Sequence, residues 1–289
     1  MDSSATMLPN CAKPFRIILT LALLSLVAAL ASKSVKAGEP PSLASGWSWR
    51  VFQSGLRLVD NIVAVNSDTL YVTLEQSPGE GQLVKLTNGK VEVLVDQLDR
   101  PDGLAMAGDT LYLTEEVGSG RILSYHLKNK MLSELARLRN PEGISVLATG
   151  SLILTEDVGD GRLLQLDKDG RISVLANGLE RPEGVRVSRN GTIYIAETRT
   201  GRILSYHDGK IAVLLEGLSK PDQLAIGRDG SLWIAEDNNP GRVLCYRNGV
   251  LETIASNLAS PQGLAFDDKG RLYVAEQHRH RILLLFTSP

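Results

Sequence analysis

Acidic and amide side chains recur at one fixed position of a repeated unit in this chain. The unit contains the motif Pro-x-Gly or a close variant, and x has a side-chain oxygen in five copies. The residues at this position are Asp102, Glu142, Glu183, Asp222 and Gln262. Carboxylates gathered in one place repel one another, and their pKa values rise unless positive charge neutralises them. Oxygen ligands of this kind suit a hard divalent cation, which needs about six to eight of them.

The motif belongs to a long internal repeat. Its proline recurs every 39 to 41 residues, at Pro101, Pro141, Pro182, Pro221 and Pro261. A fixed period of this length indicates a repeat architecture. Each copy contains short apolar runs separated by turn residues, which predicts four antiparallel strands. Six copies predict an all-β fold, a six-bladed β-propeller, in which the acidic corners meet at one mouth of the central channel.

The two ends of the repeat array complement each other. The last copy stops after three strands, at Thr287-Ser288-Pro289, and residues 50–56 match the missing outer strand in pattern. We therefore predict that the last blade is closed by the N-terminal strand, which removes an exposed sheet edge. The predicted propeller domain covers residues 49–289 and follows a linker at residues 38–48.

A second recurring pair has a structural explanation. A Glu follows the second apolar run and an Arg opens the third, as in Glu115 and Arg121. The two residues flank a tight loop, so they can form a charge-assisted pair across it. In the first copy the same positions hold Leu74 and Gln82, so both partners are lost together. This covariation favours a scaffold role.

Residues that break the repeat in one copy are candidates for ligand binding. In the first copy the corner residue is either Asp60 or Asn61. The other departures, together with corner residues outside the predicted metal set, form the predicted substrate-binding set: Asp102, Arg186, Gln223, Asn238, Gln262 and His278. Two alternatives to cation binding stay open at this stage. Arg100, Arg181 and Lys220, each before its corner proline, could neutralise the acids, or the acids could cap turn N–H groups.

The N-terminus has the pattern of a secretory signal. Lys13 and Arg16 precede an apolar run at residues 17–31, and Val35-Lys36-Ala37 offers a small-x-small cleavage site before Gly38. We predict a signal peptide at residues 1–37 and a secreted or periplasmic protein without a membrane span after cleavage. An uncleaved membrane anchor is the alternative, although the run is shorter than the roughly 20 residues of a spanning helix.

Bulk composition excludes some classes of function. The formal charge is −2 and there is no basic cluster, so we expect no nucleic-acid partner. Cys245 is the one cysteine outside the predicted signal peptide, so we expect no internal disulfide. We expect a monomer that binds a small-molecule substrate, or a protein or glycan ligand, at the channel mouth.

The repeated unit, Pro-x-Gly and apolar residues followed by Ala-Glu and Gly-Arg, resembles NHL-repeat propellers and the gluconolactonase/regucalcin-like hydrolases. Pro221-Asp222-Gln223-Leu224 looks like the lactonase segment that carries a metal-binding, catalytic Asp. The segment around Glu183 matches the place of a metal-binding Asn in those enzymes, and Asp60-Asn61 falls where they have a Glu. The resemblance implies a divalent-metal-dependent hydrolase with Asp222 as ligand and base.

Two hypotheses follow. The first is an exported hydrolase of a small lactone or ester that uses a divalent cation, Ca²⁺ by preference. In this hypothesis Asp222 is the general base, and the predicted metal ligands are Asp60, Asn61, Glu142, Glu183 and Asp222. The alternative is a non-catalytic NHL-repeat-type binding propeller that binds a protein, peptide or glycan at the same mouth. A strictosidine-synthase-like lyase is a third and more distant reading.

Overall fold

The computed structural model describes residues 40–287. The predicted signal peptide and the start of the predicted linker lie outside the described residues. The described part is built from six antiparallel sheets, and its one helical segment is a single 3-10 turn, Gln277–Arg279. Within residues 40–287 no helix has the length and apolar character needed to cross a membrane. The all-β, six-bladed propeller expected from the repeat is confirmed.

The strands are numbered in chain order. Two precede the first blade: β1 (Ser42–Leu43) and β2 (Trp47–Ser54). Blade 1 contains β3 (Val59–Ala64), β4 (Thr69–Leu74), β5 (Gly81–Thr87) and β6 (Lys90–Leu98). Blade 2 contains β7 (Pro101–Ala107), β8 (Thr110–Glu115), β9 (Gly120–His126) and β10 (Met131–Leu138). Blade 3 contains β11 (Pro141–Val146), β12 (Leu152–Glu156), β13 (Gly159–Leu166) and β14 (Ile172–Glu180).

The remaining blades follow the same order. Blade 4 contains β15 (Pro182–Val187), β16 (Ile193–Glu197), β17 (Arg202–His207) and β18 (Lys210–Leu215). Blade 5 contains β19 (Pro221–Ile226), β20 (Leu232–Glu236), β21 (Gly241–Arg247) and β22 (Val250–Leu258). Blade 6 contains β23 (Pro261–Phe266), β24 (Leu272–Glu276) and β25 (Arg281–Thr287). The first strand of each blade contacts its counterparts in the two neighbouring blades, which closes the ring around a central channel.

The N-terminal strand completes blade 6. β2 pairs antiparallel with β25 from Trp47 opposite Thr287 to Ser54 opposite Arg281. This pairing confirms the predicted closure and removes the edge that β25 would otherwise expose. Residues Ser42–Leu43 of the predicted linker form β1, which adds a fifth strand to blade 5 by pairing with β22.

The apolar core lies between neighbouring blades. One cluster joins Leu83 of blade 1 to Leu104 and Leu113 of blade 2, and another joins Val72 of blade 1 to Tyr273 of blade 6. The alternating side chains of each strand supply one apolar face to each neighbour, as a period of two requires. A blade therefore needs both neighbours to bury its apolar faces, so closure of the ring stabilises the fold directly.

The recurring Glu–Arg pair is present as an ion pair that also holds the backbone. Nε of Arg121 lies 2.5 Å from one carboxylate oxygen of Glu115, and its Nη2 lies 2.6 Å from the other. The same carboxylate accepts the backbone N–H of Asp99 at 2.8 Å, so it also fixes the segment that leads into the Pro101 corner of its own blade. In blade 1 Leu74 and Gln82 face each other in the strand register, as the scaffold interpretation requires.

We predict that Arg121→Gln lowers the free energy of unfolding by about 3 kcal/mol, because it leaves the Glu115 carboxylate, 1% exposed, without its charged partner. Glu115→Leu combined with Arg121→Gln reproduces the blade 1 combination and should recover part of that loss. Urea unfolding measures both variants. The control is Lys128→Gln at an exposed ion pair, which should cost less than about 1 kcal/mol. Equal losses for Arg121→Gln and the control would refute the scaffold role.

Candidate functional site

Six corner side chains form a ring, the inner ring, at one mouth of the channel. Its members are Asp60, Asp102, Glu142, Glu183, Asp222 and Gln262, all of them buried, with 1 to 8% exposed. The strand register resolves the first corner. Val59 pairs with Leu74 as Pro101 pairs with Glu115, so Asp60 takes the corner position and Asn61 takes the position of the glycine.

A backbone irregularity turns the corner residues into the channel. In blade 2 the register shifts between Pro101 and Leu104, and the residue before the proline, Arg100, has a φ of 49°. The same shift and positive φ recur in the other blades. A bulge of this kind bends a strand and redirects one side chain, and bulges are common next to functional sites.

Threonines link successive corners in blades 1 to 4. The Thr155 hydroxyl accepts the backbone N–H of Gly143 at 2.8 Å and donates to the Glu183 carbonyl at 2.6 Å. Thr73 and Thr114 make the corresponding bonds to the carbonyls of Asp102 and Glu142 at 2.8 and 2.7 Å. The glycine is required here, since a Cβ on Gly143 would lie 2.3 Å from the Glu183 carbonyl oxygen. The corners are therefore fixed to one another through the backbone.

A second set of acids, the outer ring, surrounds the first and was missed in the sequence. Its members directly follow the position of the recurring Glu, which is Leu74 in blade 1. They are Glu75, Glu116, Asp157, Thr198, Asp237 and Gln277. Four of the six are acidic, and this recurrence was visible in the repeat. The recurring Glu was interpreted as scaffold, and its neighbour was not considered separately. Because the chain alternates at this strand end, the neighbour faces the channel mouth while the scaffold Glu faces its arginine.

The two rings gather into three groups of carboxylates, each with ligand atoms within 4.8 Å of one another. The groups are Asp60, Glu75 and Asp102; Glu116, Glu142 and Asp157; and Glu142, Glu183 and Asp222. The third group contains three of the five predicted metal ligands and is called the acid cluster below. Asp60 lies in a different group, with Asp102, which was predicted to bind substrate.

Arginines neutralise the outer ring more than the inner one. Arg100 bridges Glu75 and Glu116, with its Nε 2.8 Å from the Glu75 carboxylate. Arg181 holds both Asp157 oxygens, at 2.7 and 2.5 Å, and reaches Glu183 only at 3.7 Å. In the described residues no salt bridge involves Lys220. Pairing with arginine, the alternative considered from the sequence, therefore applies to the outer ring.

The pKa values of the inner ring reflect this lack of compensation. Burial, followed by repulsion between neighbouring carboxylates, raises the pKa values of Asp60, Asp102, Glu142 and Asp222 well above the ordinary range. Burial also raises the pKa of Glu183 to about 8, even though Thr198 donates a hydrogen bond to it. Burial and mutual repulsion therefore favour the protonated form of these carboxylates until positive charge reaches them.

Neutral amides provide the remaining contacts of the rings. Gln277 donates to Asp60 at 2.8 Å and to Glu75 at 3.0 Å. The Gln262 amide, oriented with its nitrogen towards Asp222, lies 3.2 and 2.5 Å from the two carboxylate oxygens. Gln223 differs, because both of its side-chain polar atoms are buried without a hydrogen-bond partner in residues 40–287. An orphaned buried amide next to Asp222 requires a ligand or water to satisfy it.

The oxygen donors fit a hard divalent cation. Glu142, Glu183 and Asp222 offer up to six carboxylate oxygens, and the amide of Gln223 follows directly in the chain. This donor set suits Ca²⁺ or a similar ion, which binds carboxylate and carbonyl oxygens. Asn61 is oriented differently, since its oxygen accepts from Arg186 at 3.5 Å while its nitrogen faces Asp60 and Asp102.

The structure does not bring every candidate residue to the carboxylates. Asn238 donates to the Ser219 carbonyl at 2.7 Å, and His278 contacts the Ser260 hydroxyl at 3.0 Å. Each side chain contacts the segment before the corner proline of its own blade, and neither belongs to a carboxylate group. Arg186 enters the channel beneath the inner ring, on the side of Asn61 away from the acids.

Comparisons with known proteins agree with this architecture. The NHL repeat family model matches residues 258–283. XC5397 from Xanthomonas campestris, a gluconolactonase, is 17% identical with a TM-score of 0.73, and the match covers 88% of this chain and 97% of that one. A streptogramin B lyase is 16% identical with a TM-score of 0.65 over 84% of this chain and 98% of that one. A chain of a nidogen/laminin complex is 19% identical with a TM-score of 0.59, and the match covers 71% of this chain and 87% of that one.

No curated protein matches the sequence significantly. One segment of the chain thus matches the NHL repeat, and residues 40–287 share the six-bladed propeller fold with the gluconolactonase structure. At these identities the solved structures establish the fold and leave its chemistry to the residues of the channel mouth.

We predict that cation-free protein becomes less stable as the pH rises from 5 to 8. The folded state keeps the Glu183 proton up to a pKa of about 8, whereas the unfolded chain loses it near its ordinary value of 4.5. The folded state thus binds more protons in this window, so the free energy of unfolding falls with rising pH. Thermal unfolding in chelator measures the slope, and Glu183→Gln should reduce it. Millimolar Ca²⁺ should raise the midpoint most at pH 8, and a midpoint that rises with pH in chelator would contradict the prediction.

Proposed function

We propose that the protein is an exported, divalent-cation-dependent hydrolase of a small lactone or ester. The observation that carries the proposal is the acid cluster, which is buried at the channel mouth and lacks a bidentate arginine partner within the described residues. Glu142, Glu183 and Asp222 would hold the cation, for which we propose Ca²⁺. When bound, such a cation polarises a carbonyl oxygen and stabilises the negative charge that develops on it.

Asp222 is the residue we assign as general base. A cation held by the acid cluster would keep this carboxylate ionised, as a base must be, against the burial that raises its pKa in the cation-free protein. Gln262 faces both carboxylate oxygens and fixes their plane. Asp222 would accept the proton of an attacking water, and the orphaned amide of Gln223 would orient that water or the substrate.

The two sides of the ring have different roles in this proposal. Asp60 is held by Gln277, and Asp102 faces the nitrogen of Asn61. Both lie in the group with Glu75 rather than in the acid cluster. Asp60 and Asp102 would therefore bind hydroxyl groups of a polyhydroxylated substrate, since carboxylates accept hydrogen bonds from hydroxyl donors. The gluconolactonase with a similar fold supports a sugar lactone as the first substrate class to examine.

A non-catalytic binding propeller is the second candidate. The observation that favours it is the regularity of the six corners, which keep the same bulge and the same register in every blade. A propeller chain in the nidogen/laminin complex has a similar fold. In this case the channel mouth would bind a protein, peptide or glycan, and no hydrolysis would accompany binding.

We predict that the exported protein begins at Gly38. The basic flank, apolar run and small-x-small site in residues 1–37 have the order of a cleaved secretory signal. N-terminal sequencing of protein recovered from the medium or periplasm checks the position. Ala37→Pro should block cleavage and leave a longer, membrane-associated product. Unprocessed protein recovered in the cytosol from the unaltered gene would contradict export.

We predict that Asp222→Asn lowers the hydrolysis of aldonolactones or simple esters by at least about 100-fold, the usual effect of losing a general base. Glu183→Gln should abolish the rise in thermal midpoint that Ca²⁺ causes, because a ligand bound by the folded state alone must raise it. The matched control is Asp229→Asn, which removes an exposed acid of an outer turn and should change neither property. Wild-type protein that neither binds Ca²⁺ nor hydrolyses any lactone or ester tested in its presence would reject the enzyme in favour of the binding propeller.

A further inference from the structure

The channel contains a cavity at the end opposite the acidic rings. Its volume is about 370 Å³, and the later halves of all six inner strands line it. Most of its lining side chains are apolar, among them Val63, Ala105, Ala225 and Ala265, while Ser145 and Arg186 are polar. Cavities of this size are at the lower end of the range for small-ligand sites, about 300–1,000 Å³. We call this cavity the Arg186 funnel, after the one charged residue in its lining.

The Arg186 guanidinium crosses the inner end of the funnel. Its Nη1 donates to the Val185 carbonyl at 2.8 Å and to the Ile144 carbonyl at 3.3 Å, and its Nη2 lies 3.5 Å from the Asn61 side-chain oxygen. All of these acceptors are neutral. Within residues 40–287 no carboxylate forms a salt bridge with Arg186, whereas Arg100 and Arg181 at the other mouth are both paired with acids.

The repeat provides no scaffold role for this arginine. The equivalent residues in the other five blades are small or apolar: Val63, Ala105, Ser145, Ala225 and Ala265. Burial lowers the pKa of Arg186 to about 10, so the side chain is still charged at neutral pH. Arg186 is partly buried, with its exposed part in the funnel, and a charge withdrawn from water is normally paired. An anion that enters from the funnel would supply the missing partner.

We propose that the Arg186 funnel binds a small monocarboxylate with an apolar tail, the carboxylate on the Arg186 guanidinium and the tail along the strand walls. A planar guanidinium matches a carboxylate with two parallel hydrogen bonds. Besides Arg186, the lining side chains offer one hydroxyl donor, Ser145, which is too few for a phosphate or a polyol. This site lies at the opposite mouth from the acid cluster, and the proposal does not depend on the proposed hydrolase activity.

Octanoate is the probe, and octanamide, which has the same tail without the charge, is its matched control. Titration calorimetry at pH 7 in the presence of a chelator should give one octanoate site per chain. Octanamide should bind at least tenfold more weakly. Arg186→Met keeps the approximate length and the apolar stem of the side chain but removes the charge, and it should weaken octanoate binding at least tenfold. Arg186→Lys should retain part of the affinity, because the charge remains but the bidentate geometry is lost.

A second pair of variants keeps the test independent of folding at Arg186. Ser145 lines the funnel and holds the position of Arg186 in the neighbouring blade. Ser145→Asp places a negative charge beside the guanidinium and should weaken octanoate binding, whereas Ser145→Asn, of the same size as Asp, should have a much smaller effect. Equal binding of octanoate and octanamide would overturn the proposal. So would unchanged affinity in Arg186→Met, or no octanoate binding by wild-type protein up to millimolar concentration, in which case Arg186 closes the channel without binding an anion.

Discussion

Repulsion between buried carboxylates is the constraint around which the channel mouth is organised. Closure of the ring forces one corner from every blade towards the same axis, and five of those corners are acidic. Moving the corners of blades 1 to 4 cannot relieve the energetic penalty, because Thr73, Thr114 and Thr155 fix each of them to the next through the backbone. The apolar clusters between blades must therefore supply enough stability to hold an arrangement that electrostatics opposes. Such destabilising concentrations of charge are typical of functional sites.

The arginines divide this charge into regions of different character. Arg100 and Arg181 precede corner prolines and have positive φ angles, which direct them to the outer-ring acids rather than to the corner that follows them. Glu142 and Asp222 are left with proton uptake or cation binding as the ways to lose their charge. Lys220 stands at the equivalent position in blade 5, where a lysine in place of arginine cannot form the bidentate pair seen at Asp157. Arginine holds this position in blades 2 and 4, and Lys220 leaves the Asp222 side of the acid cluster without a bidentate partner.

The sequence predicted the fold in detail because repetition supplies its own comparison. The Pro-x-Gly corner, the Glu–Arg pair and the closing strand were all identifiable from their recurrence or from its interruption. The sequence could not decide whether Asp60 or Asn61 holds the corner position. That choice depends on the strand register of blade 1, which has neither the proline nor the glycine. The outer ring was overlooked although Glu75, Glu116, Asp157 and Asp237 recur in phase. Asn238 and His278 are departures from the repeat of a different kind, because local contacts to Ser219 and Ser260 account for their side chains, and loop geometry of this sort is not encoded by a period.

Asn61 separates the two ends of the channel. Its nitrogen faces Asp60 and Asp102, and its oxygen accepts from Arg186, so one neutral amide lies between an acidic and a basic region. This contact gives Arg186 no carboxylate partner, and burial is the cause that lowers the pKa of its guanidinium. The acids and the arginine are therefore separate electrostatic regions of one channel, and a ligand of opposite charge would reach each of them from its own mouth.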